Sequence, residues 1–245
     1  MIDYTKAFSQ VQQKGYDEGL RNYMLKIYNY MAIALVITGV AGFSVLNFAP
    51  LRNLMFQTDG YGHYGTTGIG MLISLSPIGI YFYFAANINK ITVQTAQTLF
   101  WVYAALIGMS LSYLGIIYTG ESIARTFFIC ASVFGAMSIY GYSTQKDLTS
   151  IGSFMVMGLM GLIAASVFNI FLQSSAINFA TSLIGIVVFM GLIAWDTQKL
   201  KNIYYASGGG ELGQKMSVMG ALNLYMDFIN LFVYMLRFFG NRRND

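Results

Sequence analysis

The sequence predicts an all-α integral membrane protein, a polytopic bundle of seven transmembrane helices without a soluble domain. Hydrophobic residues make up 56% of the 245-residue chain and charged residues only 10%, whereas soluble domains carry about 25% charged residues. The apolar runs are also long and continuous, while the strands of a membrane barrel would be about ten residues long and would alternate. Helices satisfy their backbone hydrogen bonds within each segment, as a lipid bilayer requires.

Seven apolar segments are long enough to cross the membrane, since a span needs about 20 residues. In chain order they are 24–46, 67–89, 97–118, 123–142, 151–172, 177–203 and 218–236. The transmembrane domain therefore covers 24–237, between a polar N-terminal tail at 1–23 and a short basic C-terminal tail at 238–245. The N-terminal tail has no short apolar core and no small-residue cleavage site, so we expect no cleaved signal peptide.

The segments between the predicted spans are short. The longest connection, 47–66, is rich in glycine, tyrosine and aspartate, and Pro77 predicts a kink in the second span that follows it. Lys146 and Asp147 mark a short loop between the fourth and fifth spans. A glycine-rich turn at 207–211 joins the sixth and seventh spans, so we expect these two helices to form a hairpin.

The distribution of lysine and arginine predicts a cytoplasmic N-terminus. With that orientation the inner side holds nine of these residues, and the outer loops hold only Arg52 and Arg125. Arg237, Arg242 and Arg243 break the pattern, so either the C-terminal tail lies outside or the last segment re-enters the membrane. The net charge of +4 is scattered over segment ends, which indicates membrane topology and argues against a nucleic-acid partner.

One predicted span carries a polar stripe. Charged residues within a span are rare and costly, and they are candidates for function. Asp227 lies at the centre of 218–236 and is its only charged residue. Asn223, Asn230 and Tyr234 lie on the same helix face as Asp227, which should turn towards protein or water. We therefore regard these three as candidate pathway residues around Asp227.

Asp196 is the second acidic candidate. It either pairs with Lys199 at a helix end or faces Asp227 across the predicted hairpin, because both aspartates are equally far along the chain from the turn. Rotation of each helix is free at this point, so a carboxyl pair and two unrelated polar positions both remain open. Two close carboxylates in a low dielectric cannot easily both ionise and would share a proton.

Such a pair predicts a proton-sensitive latch, in which Asp196 and Asp227 hold the helices together when they share a proton and repel when both are ionised. Ionised carboxylate oxygens also suit a hard cation such as Ca²⁺, so the same two residues are candidate calcium contacts. The single cysteine, Cys130, excludes an intrachain disulfide and a cysteine metal cluster.

Four segments resemble the bacterial branch of the Bax inhibitor-1 (TMBIM) family. They are FWVYAAL at 100–106, GYSTQKDL at 141–148, AWDTQ at 194–198 and ALNLYMDFINLF at 221–232. The resemblance implies a bacterial inner-membrane protein in which a central seventh helix is wrapped by the other six. It also implies a pH-sensitive calcium leak gated by Asp196 and Asp227. Some bacterial relatives place an arginine in the second helix, but 69–89 contains no charged residue here.

Three functions are compatible with these residues. The first is a calcium-permeable leak that takes Ca²⁺ and protons as its ligands and has no resident cofactor. The second is an intramembrane aspartyl protease, although Asp227 follows Leu224-Tyr225-Met226 and not the glycine-x-glycine context typical of such enzymes. The third is a non-conducting regulator that binds other membrane proteins. The sequence favours the first, and we expect the chain not to be an enzyme.

Overall fold

The computed structural model describes residues 4–58, 64–88, 90–207 and 211–243. Its helices are α1 Tyr4–Asn47, α2 Ala49–Met55, α3 Gly68–Asn87, α4 Val93–Leu111, α5 Leu114–Ile117, α6 Gly120–Ser143, α7 Thr149–Leu172, α8 Ser175–Ser207 and α9 Glu211–Phe239. Within the described part of the chain, seven helical segments are long and apolar enough to cross a membrane, which confirms the predicted all-α membrane bundle. These spans lie in α1, α3, α4 with α5, α6, α7, α8 and α9.

Two segments differ from the sequence prediction. The segment 47–66 was expected as a loop, but it contains α2 and an antiparallel hairpin of β1 Phe56–Thr58 and β2 Tyr64–Thr66. Apolar contacts hold this segment in place, because Met55 and Phe56 pack with Val45 in a small buried cluster. At the N-terminus, helix α1 begins at Tyr4 and its membrane span at Glu18, so helix continues through most of the predicted polar tail 1–23.

Helix α9 is the central element of the bundle. In the most apolar 18-residue stretch of α9, 56% of the residues are buried, against 6% in the corresponding stretch of α7. It packs against α1, α4, α6 and α8, while α3 lies mainly against α4 and α7 against α8. The central seventh helix is thus confirmed, with four of the six other spans making its main contacts. Large apolar side chains of the outer helices are exposed, for example Phe171 (81%) on α7, as expected of a lipid-facing surface.

The connectivity gives the bundle two faces. Gly220 packs against Leu200 near the turn, and Gly185 packs against Tyr234 far from it. Helices α8 and α9 therefore run antiparallel as a hairpin. Glycines 208–210 of the predicted turn lie outside the described residues, as does the single histidine, His63, in the connection 47–66. We call the face where the α1 span begins the inner face, predicted to be cytoplasmic, and the opposite one the outer face.

The C-terminal tail lies at the outer face. The Arg243 amide donates to the Ile117 carbonyl at 2.9 Å, and the Thr119 amide donates to the Asn241 carbonyl at 3.2 Å. Both contacts join the tail to the connection between α5 and α6. Helix α9 therefore crosses the whole bundle, and the alternative of a re-entrant last segment is excluded.

Candidate functional site

The structure brings Asp196 of α8 and Asp227 of α9 together. Their carboxyl groups lie within hydrogen-bonding reach of each other, so at least one of them must carry a proton for the contact to form. Asp227 is buried (7% exposed) and its Oδ2 has no hydrogen-bond partner among the described residues, whereas Asp196 is half-buried. Of the two arrangements left open by the sequence, the structure has the carboxyl pair. The gating role of this pair stays a prediction.

Lys199 lies on the Asp196 side of the pair. Its ammonium interacts electrostatically with Asp196, and it also lies 5.0 Å from the centre of the Trp195 ring. Asp227 is buried and faces the Asp196 carboxyl group. The negative charge of an ionised pair is therefore easier to hold on Asp196, and the shared proton belongs more naturally on Asp227.

A hydroxyl contact sets the rotation of α9. Tyr225 is fully buried, and its hydroxyl lies 2.6 Å from that of Thr38 on α1. Thr38 donates its hydrogen to the carbonyls of Ala34 and Ala104, so the Tyr225 hydroxyl is the donor between the two. Because Tyr225 and Asp227 are two residues apart, they point to nearly opposite sides of the helix. Anchoring Tyr225 on α1 therefore turns Asp227 towards α8.

The other stripe residues have varied surroundings. Tyr234 packs on Gly185 of α8 and stacks on Phe189 with ring centres 5.7 Å apart. The Asn230 amide donates to the Met226 carbonyl of its own helix at 2.9 Å. Asn223 is half-buried, one turn from Asp227 towards the inner face. Tyr234 and Asp227 thus both face α8. The pathway roles of Asn223, Asn230 and Tyr234 stay predictions.

Gln198, two residues after Asp196, hydrogen-bonds to the inner loop between α6 and α7. Its amide donates to the Lys146 carbonyl, and its carbonyl accepts from the Leu148 amide, each at 2.8 Å. Lys201 adds a bond to the Tyr142 carbonyl at 2.9 Å. The sequence analysis took 141–148 and 194–198 as separate signatures. The structure shows that they pack on each other and that Gln198 joins them.

The loop also carries an acid that is separate from the pair. The Thr149 amide and hydroxyl donate to Asp147 Oδ1 at 2.9 and 2.6 Å. These bonds to the charged form hold the pKa of the exposed Asp147 carboxyl below its ordinary value. Because the lowered pKa keeps Asp147 ionised at neutral pH, a pH response near neutrality would not arise from this residue.

Replacing Gln198 by leucine is expected to lower the free energy of unfolding by about 1–3 kcal/mol, because the buried Leu148 amide and the Lys146 carbonyl lose their partner. Unfolding of the purified protein by a denaturing detergent, followed by tryptophan fluorescence, measures the change. Asn202→Ala, at an exposed position of the same helix, is the matched control. Equal stability of the two variants would contradict the role of Gln198 in joining the inner loop to α8.

The chain is similar along nearly its whole length to one protein family and to several bacterial proteins. The family model described as inhibitor of apoptosis-promoting Bax1 matches residues 20–244. The chain is 62% identical over 245 residues to a protein of Rickettsia prowazekii, with both chains fully covered. It is 40% identical over 245 residues to the inner membrane protein YbhL of Escherichia coli K12, covering 99% of this chain and 100% of YbhL. A membrane protein of Streptococcus pyogenes is 34% identical over 233 residues, covering 94% and 96% of the two chains.

Proposed function

The chain belongs to the Bax inhibitor-1 family of membrane proteins, and from that premise we propose that it is a pH-sensitive, calcium-permeable leak gated by Asp196 and Asp227. It is a multi-pass protein of the bacterial inner membrane, as its seven apolar spans and its similarity to YbhL show. The observation that carries the proposal is the direct contact of two carboxyl groups between neighbouring helices, one of them on the central helix.

The latch works through one proton. With the proton shared, the carboxyl groups hydrogen-bond and join α8 to α9. When that proton is lost, two negative charges face each other in a medium of low dielectric, where repulsion is strong. Lys199 relieves part of the charge on Asp196 only. Separation of the two helices then relieves the repulsion, so deprotonation favours the open state.

Calcium is proposed as the transported ion and not as a resident metal. A calcium ion takes six to eight oxygen ligands, and carboxylates are preferred ones. The opened pair would offer two carboxylates, with Asn223 and Asn230 on the same face of α9 as further oxygen donors. Water would complete the shell, which suits an ion that passes and is not held.

The burial of Asp227 favours a latch over a protease. An aspartyl protease must admit a peptide and a water molecule between its carboxylates, whereas Asp227 is 7% exposed and its neighbours Leu224, Tyr225 and Phe228 are buried. We therefore propose a non-enzymatic function. Binding of other membrane proteins is kept as the alternative that the flux experiment would leave if no ion passes.

Calcium entry into liposomes that contain the purified protein and an internal calcium dye is expected to rise between pH 6 and pH 8. If one proton controls opening, the open population changes by at most about tenfold per pH unit. Liposomes without protein provide the background. Entry that does not depend on pH would refute the latch. No entry with peptide cleavage would indicate a protease, and neither signal would leave the regulator.

A further inference from the structure

A cavity of about 590 Å³ opens between α1 and α6 near the inner face. Arg21 and Tyr28 line it from α1, and Phe134, Ser138 and Tyr142 line it from α6. Arg21 is exposed. The remaining wall is largely apolar. Among the cavity's polar side chains, Ser138 is the buried one, at 5% exposure, so it marks the deep end.

Two buried hydroxyls at this deep end lack a well-formed hydrogen bond within the described part of the chain. Ser138 Oγ and Thr197 Oγ1 both have no partner in full hydrogen-bonding geometry, although Thr197 is fully buried. The Tyr28 hydroxyl lies close enough to interact with both, but its one hydrogen can be donated to only one of them. A buried hydroxyl left unpaired costs about 1–3 kcal/mol, and native proteins usually satisfy such groups with ordered water. Three converging hydroxyls supply the two to four polar partners that one water needs.

This hydroxyl cluster, Tyr28, Ser138 and Thr197, links the cavity to the part of α8 that carries Asp196. Ser138 lines the cavity, the Tyr28 hydroxyl lies beside Ser138 and Thr197, and Thr197 directly follows Asp196 in the chain. The Tyr28 ring meets Phe134 edge-on, with centres 6.5 Å apart, and both residues line the cavity.

We propose that water reaches Asp196 and Asp227 from the inner face through the cavity between α1 and α6, along the hydroxyl cluster. The hydroxyl oxygens suit water and hydrated cations, because they both donate and accept hydrogen bonds. This inference extends the proposed function. It rests on that function only for which ion or proton moves along the path. Hydration of the path itself is a separate, measurable property.

Cysteine accessibility tests the path. The single native cysteine, Cys130, is fully buried, and Cys130→Ala provides the background. Ser138→Cys is then exposed to a membrane-impermeant methanethiosulfonate in inverted membrane vesicles, which present the inner face. Ala136→Cys is the matched control, because it is an exposed position two residues away, on nearly the opposite side of α6 from Ser138, and is not among the residues that line the cavity.

Ser138→Cys is expected to react at least about tenfold faster than Ala136→Cys, because a thiol in apolar surroundings ionises less and reacts more slowly. Thr197→Cys is expected to react as well, and it replaces Ser138→Cys should that variant not fold. Equal rates at 138 and 136, or no reaction at 138 and 197, would overturn the path. Calcium flux in liposomes is read separately, so a dry path with intact flux would refute this inference and not the leak.

Discussion

Asparagine in place of Asp227 is expected to abolish the pH dependence of calcium entry and to keep entry at its low, acidic level. The shared proton belongs on Asp227, since Asp227 is buried whereas Asp196 is half-buried and lies near Lys199. An asparagine amide donates to the Asp196 carboxylate at every pH, so the latch cannot lose its donor. The ratio of entry rates at pH 8 and pH 6 should fall from as much as about tenfold per pH unit to near one.

Two further substitutions give this result its meaning. Asp196→Asn is expected to disturb the pH response less, because ionised Asp227 would still be a buried charge that helix separation hydrates, whereas the Asp196 left by Asp227→Asn is half-buried near Lys199. Asp147→Asn removes an exposed inner-loop carboxylate that is bonded only to Thr149 and is expected to leave the pH response unchanged. Equal effects of Asp196→Asn and Asp227→Asn, or a wild-type response in both, would contradict the assigned division of roles.

Local rules were sufficient for the spans and for suspecting the aspartates. A run of about 20 apolar residues has few stable alternatives to a transmembrane helix. Asp227 stands out because the cost of a charge there requires a partner. Even the depth of Asp196 relative to Asp227 follows from counting residues to the turn. These inferences need only the sequence near each residue and the length of a helical turn.

Helix rotation depended on contacts that local rules cannot supply. Asp227 faces α8 because Tyr225 is anchored on Thr38, which is 187 residues away in the chain. Gln198 reaches an inner-loop amide 50 residues away. Neither partner is marked by a distinctive spacing, since threonine, tyrosine and glutamine also occur in spans as ordinary packing residues. The first span carries four hydroxyl side chains, those of Tyr28, Tyr30, Thr38 and Ser44, so the sequence alone does not single out Thr38.

The C-terminal tail shows a similar limit. The excess of lysine and arginine on one side predicts overall orientation, but three arginines in the tail conflicted with it. Backbone pairing of the tail with 117–119 holds it at the outer face. Such pairing joins segments more than 100 residues apart and has no charge signature. The count of lysine and arginine therefore did not predict where the tail lies, and the cytoplasmic position of the N-terminus stays a prediction.

Gly141→Ala is expected to be the most damaging of the small substitutions, lowering the free energy of unfolding by about 1–3 kcal/mol or more through overpacking. A Cβ atom at this position would lie 2.1 Å from the Ala194 carbonyl oxygen and 3.0 Å from its Cα. Both are backbone atoms of α8, so no side chain can rotate away and the two helices must move apart. Detergent-induced unfolding, followed by tryptophan fluorescence, measures the loss.

Gly135→Ala on the same helix separates this contact from glycine's general effect. A Cβ atom at Gly135 would meet nothing within 4 Å, so alanine there should be neutral or should stabilise α6 by up to about 1 kcal/mol. Because Ala194 lies two residues before Asp196, the displacement in Gly141→Ala should also reach the carboxyl pair and weaken its contact. Calcium entry at pH 6 should then rise in Gly141→Ala and not in Gly135→Ala. If both variants unfold alike, helix propensity and not the α6–α8 contact governs this position.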